Sequence, residues 1–142
     1  MQTLIPLRAI RIEPSGVHLA VSAFINGNLA NVLIDTGASQ TVMDLNRMRI
    51  FSSETQFEQS AQTSKGLGTD GMESFHFTIR QFILGDLDLE QMEVMLLDLK
   101  HVNGSYQQLG LPPIDMVIGG DLLQRYAAVI DYAKMQLVLT LP

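Results

Sequence analysis

The chain has no cysteine, which excludes disulfide frameworks, thiolate nucleophiles and cysteine-held metals and leaves the redox compartment unreadable. Charge is scarce too. Only 17% of the residues are charged, and the net charge of -6 comes without any basic cluster, so neither nucleic acid nor an anionic membrane surface is an expected partner. No apolar run reaches the roughly 20 residues of a membrane span. The opening Met1-Gln2-Thr3-Leu4-Ile5-Pro6 lacks a basic stretch followed by an apolar one, so no leader is expected and the cytoplasm is the expected compartment.

Motifs for other chemistries are missing as well. His18, His76 and His101 are scattered, with no His-Glu-x-x-His and no carboxylate cluster at ligand spacing, so no metal is expected. The histidines His18 and His76 lie on expected strands, where a surface or core role is ordinary. No Gly-x-Ser-x-Gly surrounds Ser39, which removes it as a hydrolase nucleophile. Asp86, Asp88 and Glu90 alternate with leucines on one strand face and lack the glycine and late glutamate of a calcium loop. Lys65 to Met72 holds three glycines but lacks the Gly-Lys-(Ser/Thr) ending of a phosphate loop, and no strand precedes it. The methionines Met92 and Met95 fit strand packing better than a cofactor box, and no cofactor is expected.

What is present is enough apolar sequence, 46%, for one core, and 142 residues fit a single domain over 1–142. Residues 3–12 read as apolar strand, with Pro6 at an edge or a strand start. After a turn at Pro14-Ser15-Gly16, residues 17–25 alternate as a strand, Asn26-Gly27 forms a hairpin turn, and 29–34 return as the partner. That hairpin delivers Val32-Leu33-Ile34-Asp35-Thr36-Gly37-Ala38-Ser39. An acid directly after an apolar strand is costly to desolvate unless it is hydrogen-bonded, so a buried, bonded, functional carboxylate on a tight loop is expected. Downstream, Asp44 is expected to cap a short helix over 45–51, and 52–64 to be a solvated surface segment. Strands are expected over 75–84 and within 87–97, and an irregular loop from 103 to 113. Met116-Val117-Ile118-Gly119-Gly120 repeats the pattern of an apolar strand entering a glycine turn. Asp121 is placed as a helix N-cap behind it. A closing hairpin turns at 132–134.

Asp35-Thr36-Gly37-Ala38-Ser39, Met116-Val117-Ile118-Gly119-Gly120 and Ile130-Asp131-Tyr132 occur in an order that resembles the retropepsin-like aspartic proteases, single-domain branch of retroviruses and bacteria. The resemblance spans roughly residues 17–139. It implies an all-β, closed, barrel-like fold with one short helix in the C-terminal half and a β-hairpin flap. It also implies an aspartic endopeptidase acting on polypeptide. Because the chain has one Asp-Thr-Gly, and Gly119-Gly120 stands where a two-lobed enzyme repeats it, the site would need a homodimer with Asp35 from each subunit. Thr36 would interlock the two loops and Gly37 would offer its carbonyl to substrate. Ala38 and Ser39 would line the groove, and Gly66, Leu67, Gly68 and Met72 would form the flap. Gly119 and Gly120 would close the fold, since a side chain at Gly119 would crowd the catalytic loop. Ile34 and Val117, as apolar groove residues, imply apolar side chains flanking the cut.

The chain departs from retroviral members at Ser39, Gln40 and Gly120, where charges that pair and stiffen the dimer commonly stand. Asp115 is read as a structural hydrogen-bonding residue, with no Thr-Gly after it. The rival reading is the same fold used as a dimerisation or peptide-binding module without useful turnover.

Overall fold

Pro6 lacks the N–H that a central strand needs, and the chain uses it where two strands of different sheets part. The structure, a computed structural model, describes residues 1–52, 58–59 and 75–142. Strand β1 (Gln2–Pro6) lies at the edge of one sheet and β2 (Arg8–Arg11) enters another. The turn that follows is closed by Ile12 N–H donating to Gly16 O at 3.1 Å.

β3 (Val17–Ile25) and β4 (Asn28–Ile34) form the expected antiparallel hairpin, in register from Ile25 opposite Asn28 to Leu19 opposite Ile34. Its turn holds Asn26 at φ 50° and Gly27 at φ 83°, the left-handed pair that lets two twisted strands meet across two residues. Asn26 does more than turn. Its Oδ1 accepts the Arg80 and Gln81 N–H groups at 2.9 and 3.1 Å, which anchors the hairpin tip to a distant loop.

β5 (Val42–Asp44) leads into a 3-10 turn over Leu45–Ile50, with Asp44 as its N-cap, bonded by the Asn46 N–H. Next come β6 (Glu58–Gln59), β7 (Phe75–Ile79), β8 (Phe82–Leu84), β9 (Leu87–Asp88) and β10 (Met92–Leu97). Helix α1 (Lys100–Gln108), β11 (Met116–Ile118), helix α2 (Gly120–Arg125), β12 (Val129–Asp131) and β13 (Gln136–Thr140) complete the described elements. The larger sheet runs β6-β7-β10-β5-β11-β4-β3-β8-β9 with β2 beside β3, and it curls; the smaller runs β1-β13-β12. The expected all-β class is borne out. The closing hairpin at 132–134 joins β12 to β13 as expected.

Strand alternation gives the larger sheet two buried faces. Leu19, Val21, Val32, Ile34, Met43, Met116 and Ile118 point into the main core. Their neighbours Leu33, Val42, Leu97 and Val117 point the other way and pack with Tyr106 and Ile114. A strand covered on both faces reads as a continuous apolar run, which is the pattern of 32–34 and 116–118.

That second face needs a cover, and α1 supplies it. Residues 103–113 were expected to be irregular, because Gly104 costs a helix about 1 kcal/mol and Leu111-Pro112-Pro113 follows. Tertiary bonds override the weak propensity. Asn103 Oδ1 accepts the Ile114 N–H at 2.7 Å, and its Nδ2 donates to Ile114 O at 3.0 Å and to Asp44 Oδ2 at 2.9 Å. Tyr106 is buried to 2% exposure beneath the same helix. Asp121 is a second correction. α2 begins at Gly120 with Gly119 as N-cap, and Asp121 lies in the first turn, where its charge suits the helix dipole.

Two buried acids fix the base of the site. Asp44 accepts from Asn46, Leu99 N–H and Asn103. Asp115 accepts the Asn31 N–H at 2.8 Å through Oδ2 and pairs with Arg47 through Oδ1. The structural role expected of Asp115 is therefore what it performs.

Candidate active site

Residues 35–41 form the loop between β4 and β5, and β11 runs alongside both of those strands. β11 is parallel to β4, with Met116, Val117 and Ile118 opposite Val32, Leu33 and Ile34, and antiparallel to β5. Two apolar strands therefore carry the chain in the same direction into two adjacent turns, one with Asp35 and one with Gly119.

Backbone bonds stitch these turns together. Asp35 N–H donates to Ile118 O at 3.0 Å, Gly120 N–H to Ala38 O at 2.7 Å, and Asp121 N–H to Ser39 O at 3.2 Å. Within the loop, Ala38 N–H donates to Asp35 O at 3.2 Å, and Gly37 N–H to Asp35 Oδ1 at 2.9 Å. The last bond sets the direction of the carboxylate. Among the described residues no other donor of the chain reaches that carboxylate.

Asp35 is exposed, as are Thr36, Gly37 and Ser39, while Ala38 is half-buried. This corrects the expectation of a buried acid. The apolar run ends at Ile34, and the next residue emerges on the surface, where water meets the cost of the charge. Ile34 and Val117 are corrected in the opposite direction. Each is 8% exposed, Ile34 in the main core and Val117 under α1, so neither lines an open groove in the single chain.

At Gly119 the constraint is one of space. Its φ of -104° is ordinary, but a Cβ there would lie 2.7 Å from both Ala38 O and Gln40 O. At Gly120 the nearest atom would be Ala38 O at an ordinary 3.6 Å. Only the first glycine of the pair is required by packing. Gly66, Leu67, Gly68 and Met72, expected to form the flap, lie outside the described residues.

Sequence reasoning passed over a brace at the exit of the loop. Buried Thr41 donates its hydroxyl to Asp121 Oδ1 at 2.8 Å and accepts the Gly119 N–H at 3.1 Å. Asp121 Oδ1 also accepts the Leu122 N–H at 2.8 Å. One hydroxyl thus ties the loop's exit to the second turn and to the start of α2. Thr41→Val keeps the shape but leaves the Gly119 N–H without its partner, at a cost of about 1–3 kcal/mol. Thr41→Ser is expected to recover most of that stability, and urea unfolding of the two variants measures the difference.

Among the described residues no group of three or more His, Asp or Glu side chains could hold a metal. The aspartyl protease family profile matches residues 21–122, from mid-β3 through the Asp35 loop to the start of α2. The chain belongs to the aspartyl protease family. Among solved structures, this aspartyl protease chain is similar to a retropepsin-like aspartic protease from Rickettsia conorii. The TM-score is 0.63 at 17% identity, covering 98% of this chain and 89% of that one. It is also similar to the equine infectious anaemia virus (EIAV) protease solved with the inhibitor HBY-793, with a TM-score of 0.57 at 18% identity, over 84% and 97% of the two chains. These likenesses show the retropepsin-like fold. In sequence it is 28% identical over 129 residues to human Protein DDI1 homolog 2, covering 87% of this chain. The aspartyl protease chain spans only 28% of that relative's length. Among the described residues no helix is long and apolar enough to cross a membrane.

Proposed function

We propose that this chain is an aspartic endopeptidase whose active site forms between two copies, each contributing Asp35. The observation that carries the reading is the exposed Asp35, aimed by the Gly37 N–H on a loop pinned by Ile118, Gly120 and Asp121. A loop presenting a solvent-facing carboxylate, paired with a turn that has Gly119 rather than a second Asp-Thr-Gly after its strand, is half of a two-carboxylate site.

The chemistry follows from proximity. Two carboxylates a few ångströms apart cannot both stay ionised, so the pair shares one proton and titrates as a unit. The ionised member takes a proton from water, the water attacks the scissile carbonyl, and the protonated member donates a hydrogen bond to the carbonyl oxygen. Thr36 interlocks the two loops across the two-fold axis, Gly37 offers its carbonyl to an extended peptide, and Ala38 and Ser39 border the groove. The site of action is proposed to be cytoplasmic.

Ser39, Gln40 and Gly120 favour a second reading, a dimerisation or peptide-binding module, because charges that stiffen related dimers are absent there. Enzyme concentration separates the two. Turnover per chain of an unstructured protein substrate is expected to rise with concentration in parallel with the dimer fraction from sedimentation equilibrium, and pepstatin is expected to abolish it. Peptide binding by a dimer without turnover leaves the module reading standing.

A further inference from the structure

β3 reaches the catalytic loop at its N-terminal end. Leu19 lies opposite Ile34; His18 precedes the first of this pair and Asp35 follows the second. Alternation places His18 and Ala20 on the sheet face that carries Leu33, the face covered by α1, and Asp35 follows Leu33 by two residues. Ala38 packs against that same cluster. His18 is itself exposed, as is Asp35.

The ring is held. His18 Nδ1 lies 2.7 Å from Tyr106 Oη, and the two rings stack with centroids 6.0 Å apart and planes 28° from parallel. Tyr106 is buried, and desolvation pushes its pKa above the ordinary phenol value, which keeps the hydroxyl protonated. When that hydroxyl donates to Nδ1, the neutral imidazole carries its proton on Nε2. In that arrangement Nε2–H is a donor whose direction is set by the contact with Tyr106.

Resting on the peptidase reading above, we propose that His18, oriented by Tyr106, is a specificity-determining residue. Its Nε2–H selects a hydrogen-bond acceptor side chain, such as that of Gln or Glu, at one substrate position flanking the cut. The preference is for an acceptor at a single place. The pair carries no part of the bond-breaking step and acts on affinity.

A peptide library with Gln, Glu, Met or Leu at each flanking position tests this in two arms. Wild-type protein is expected to cleave the Gln and Glu members about 3- to 10-fold better in kcat/KM at one position than the Met and Leu members, chiefly through KM. His18→Phe keeps a stacked ring without the donor. It is expected to erase the preference while leaving kcat on the Leu peptide unchanged. Tyr106→Phe frees the ring and should weaken the preference without removing it.

The second arm measures binding of the same peptides to Asp35→Asn protein by fluorescence polarisation, with and without His18→Phe. If wild-type protein cleaves nothing but the acceptor preference appears in binding and is lost with His18→Phe, the peptidase reading fails and the specificity role stands. Equal affinity for Gln and Leu peptides at every position overturns the role of His18. A uniform loss of kcat in His18→Phe, with melting temperature unchanged, overturns it in favour of direct participation in the reaction.

Discussion

Asp35→Asn is expected to lower kcat/KM by about 10³-fold or more while leaving the fold as stable as before. Asparagine has the same shape, and its Oδ1 can still accept the Gly37 N–H that Asp35 Oδ1 accepts at 2.9 Å. It cannot ionise, so no base remains to take a proton from water. Because Asp35 is exposed, the exchange removes no buried interaction, and the melting temperature should barely move. Mixing gives a sharper form of the test. If each site needs Asp35 from two chains, co-refolding equal amounts of wild type and variant leaves about a quarter of the dimers with both acids. Activity should then fall to about a quarter of that of all-wild-type protein at the same total concentration. A fall to one half would mean that each chain carries a complete site, and the shared-site mechanism would be lost.

Gly119→Ala is expected to cost about 3 kcal/mol or more and to remove activity along with the stability. The added Cβ would meet Ala38 O and Gln40 O at 2.7 Å and Gln40 C at 2.8 Å. All three are backbone atoms of the Asp35 loop, so no side chain can swing aside. Relief requires either the loop or the second turn to move, and either movement breaks the Gly120-to-Ala38 and Asp121-to-Ser39 bonds. Gly120→Ala is the control. Its Cβ would meet Ala38 O at 3.6 Å, and replacing glycine in a helical first turn is neutral or stabilising by up to about 1 kcal/mol. Equal destabilisation of the two variants in chemical denaturation would show that the close approach at Gly119 is not what the fold depends on.

Much of this arrangement could be read from local signals. Asn26-Gly27 has one favoured geometry between strands, and the structure uses it. An apolar strand ending in Asp-Thr-Gly, and another ending in Gly-Gly, identified the two turns, because only close backbone approach explains the second. The failures share a cause, which is that long-range contacts are silent in a local pattern. Nothing near Asn103 announces that its amide will grip Ile114 and Asp44, and without those bonds a helix around Gly104 has little support. Thr41 carries no local mark of its role, which depends on Asp121 and on Gly119, 78 residues away. Val117 read as available to substrate because its cover, α1, was not foreseen. The exposure of Asp35 is the reverse case. An acid after three apolar residues looks buried until the strand is seen to stop before it.

The parallel pairing of β4 with β11 also bears on when the protein can first act. Contacts such as that between Asn31 and Asp115 span 84 residues, and pairings of that reach close late and slowly in folding. A ribosome-bound chain that has emerged only as far as α1 already displays Asp35, Thr36 and Gly37. It lacks Ile118, Gly119, Gly120 and Asp121, the groups that hold the loop in place. Such a chain still lacks the contacts that set the Asp35 loop. The loop takes its final form only when the second glycine turn leaves the tunnel and folds back against the first.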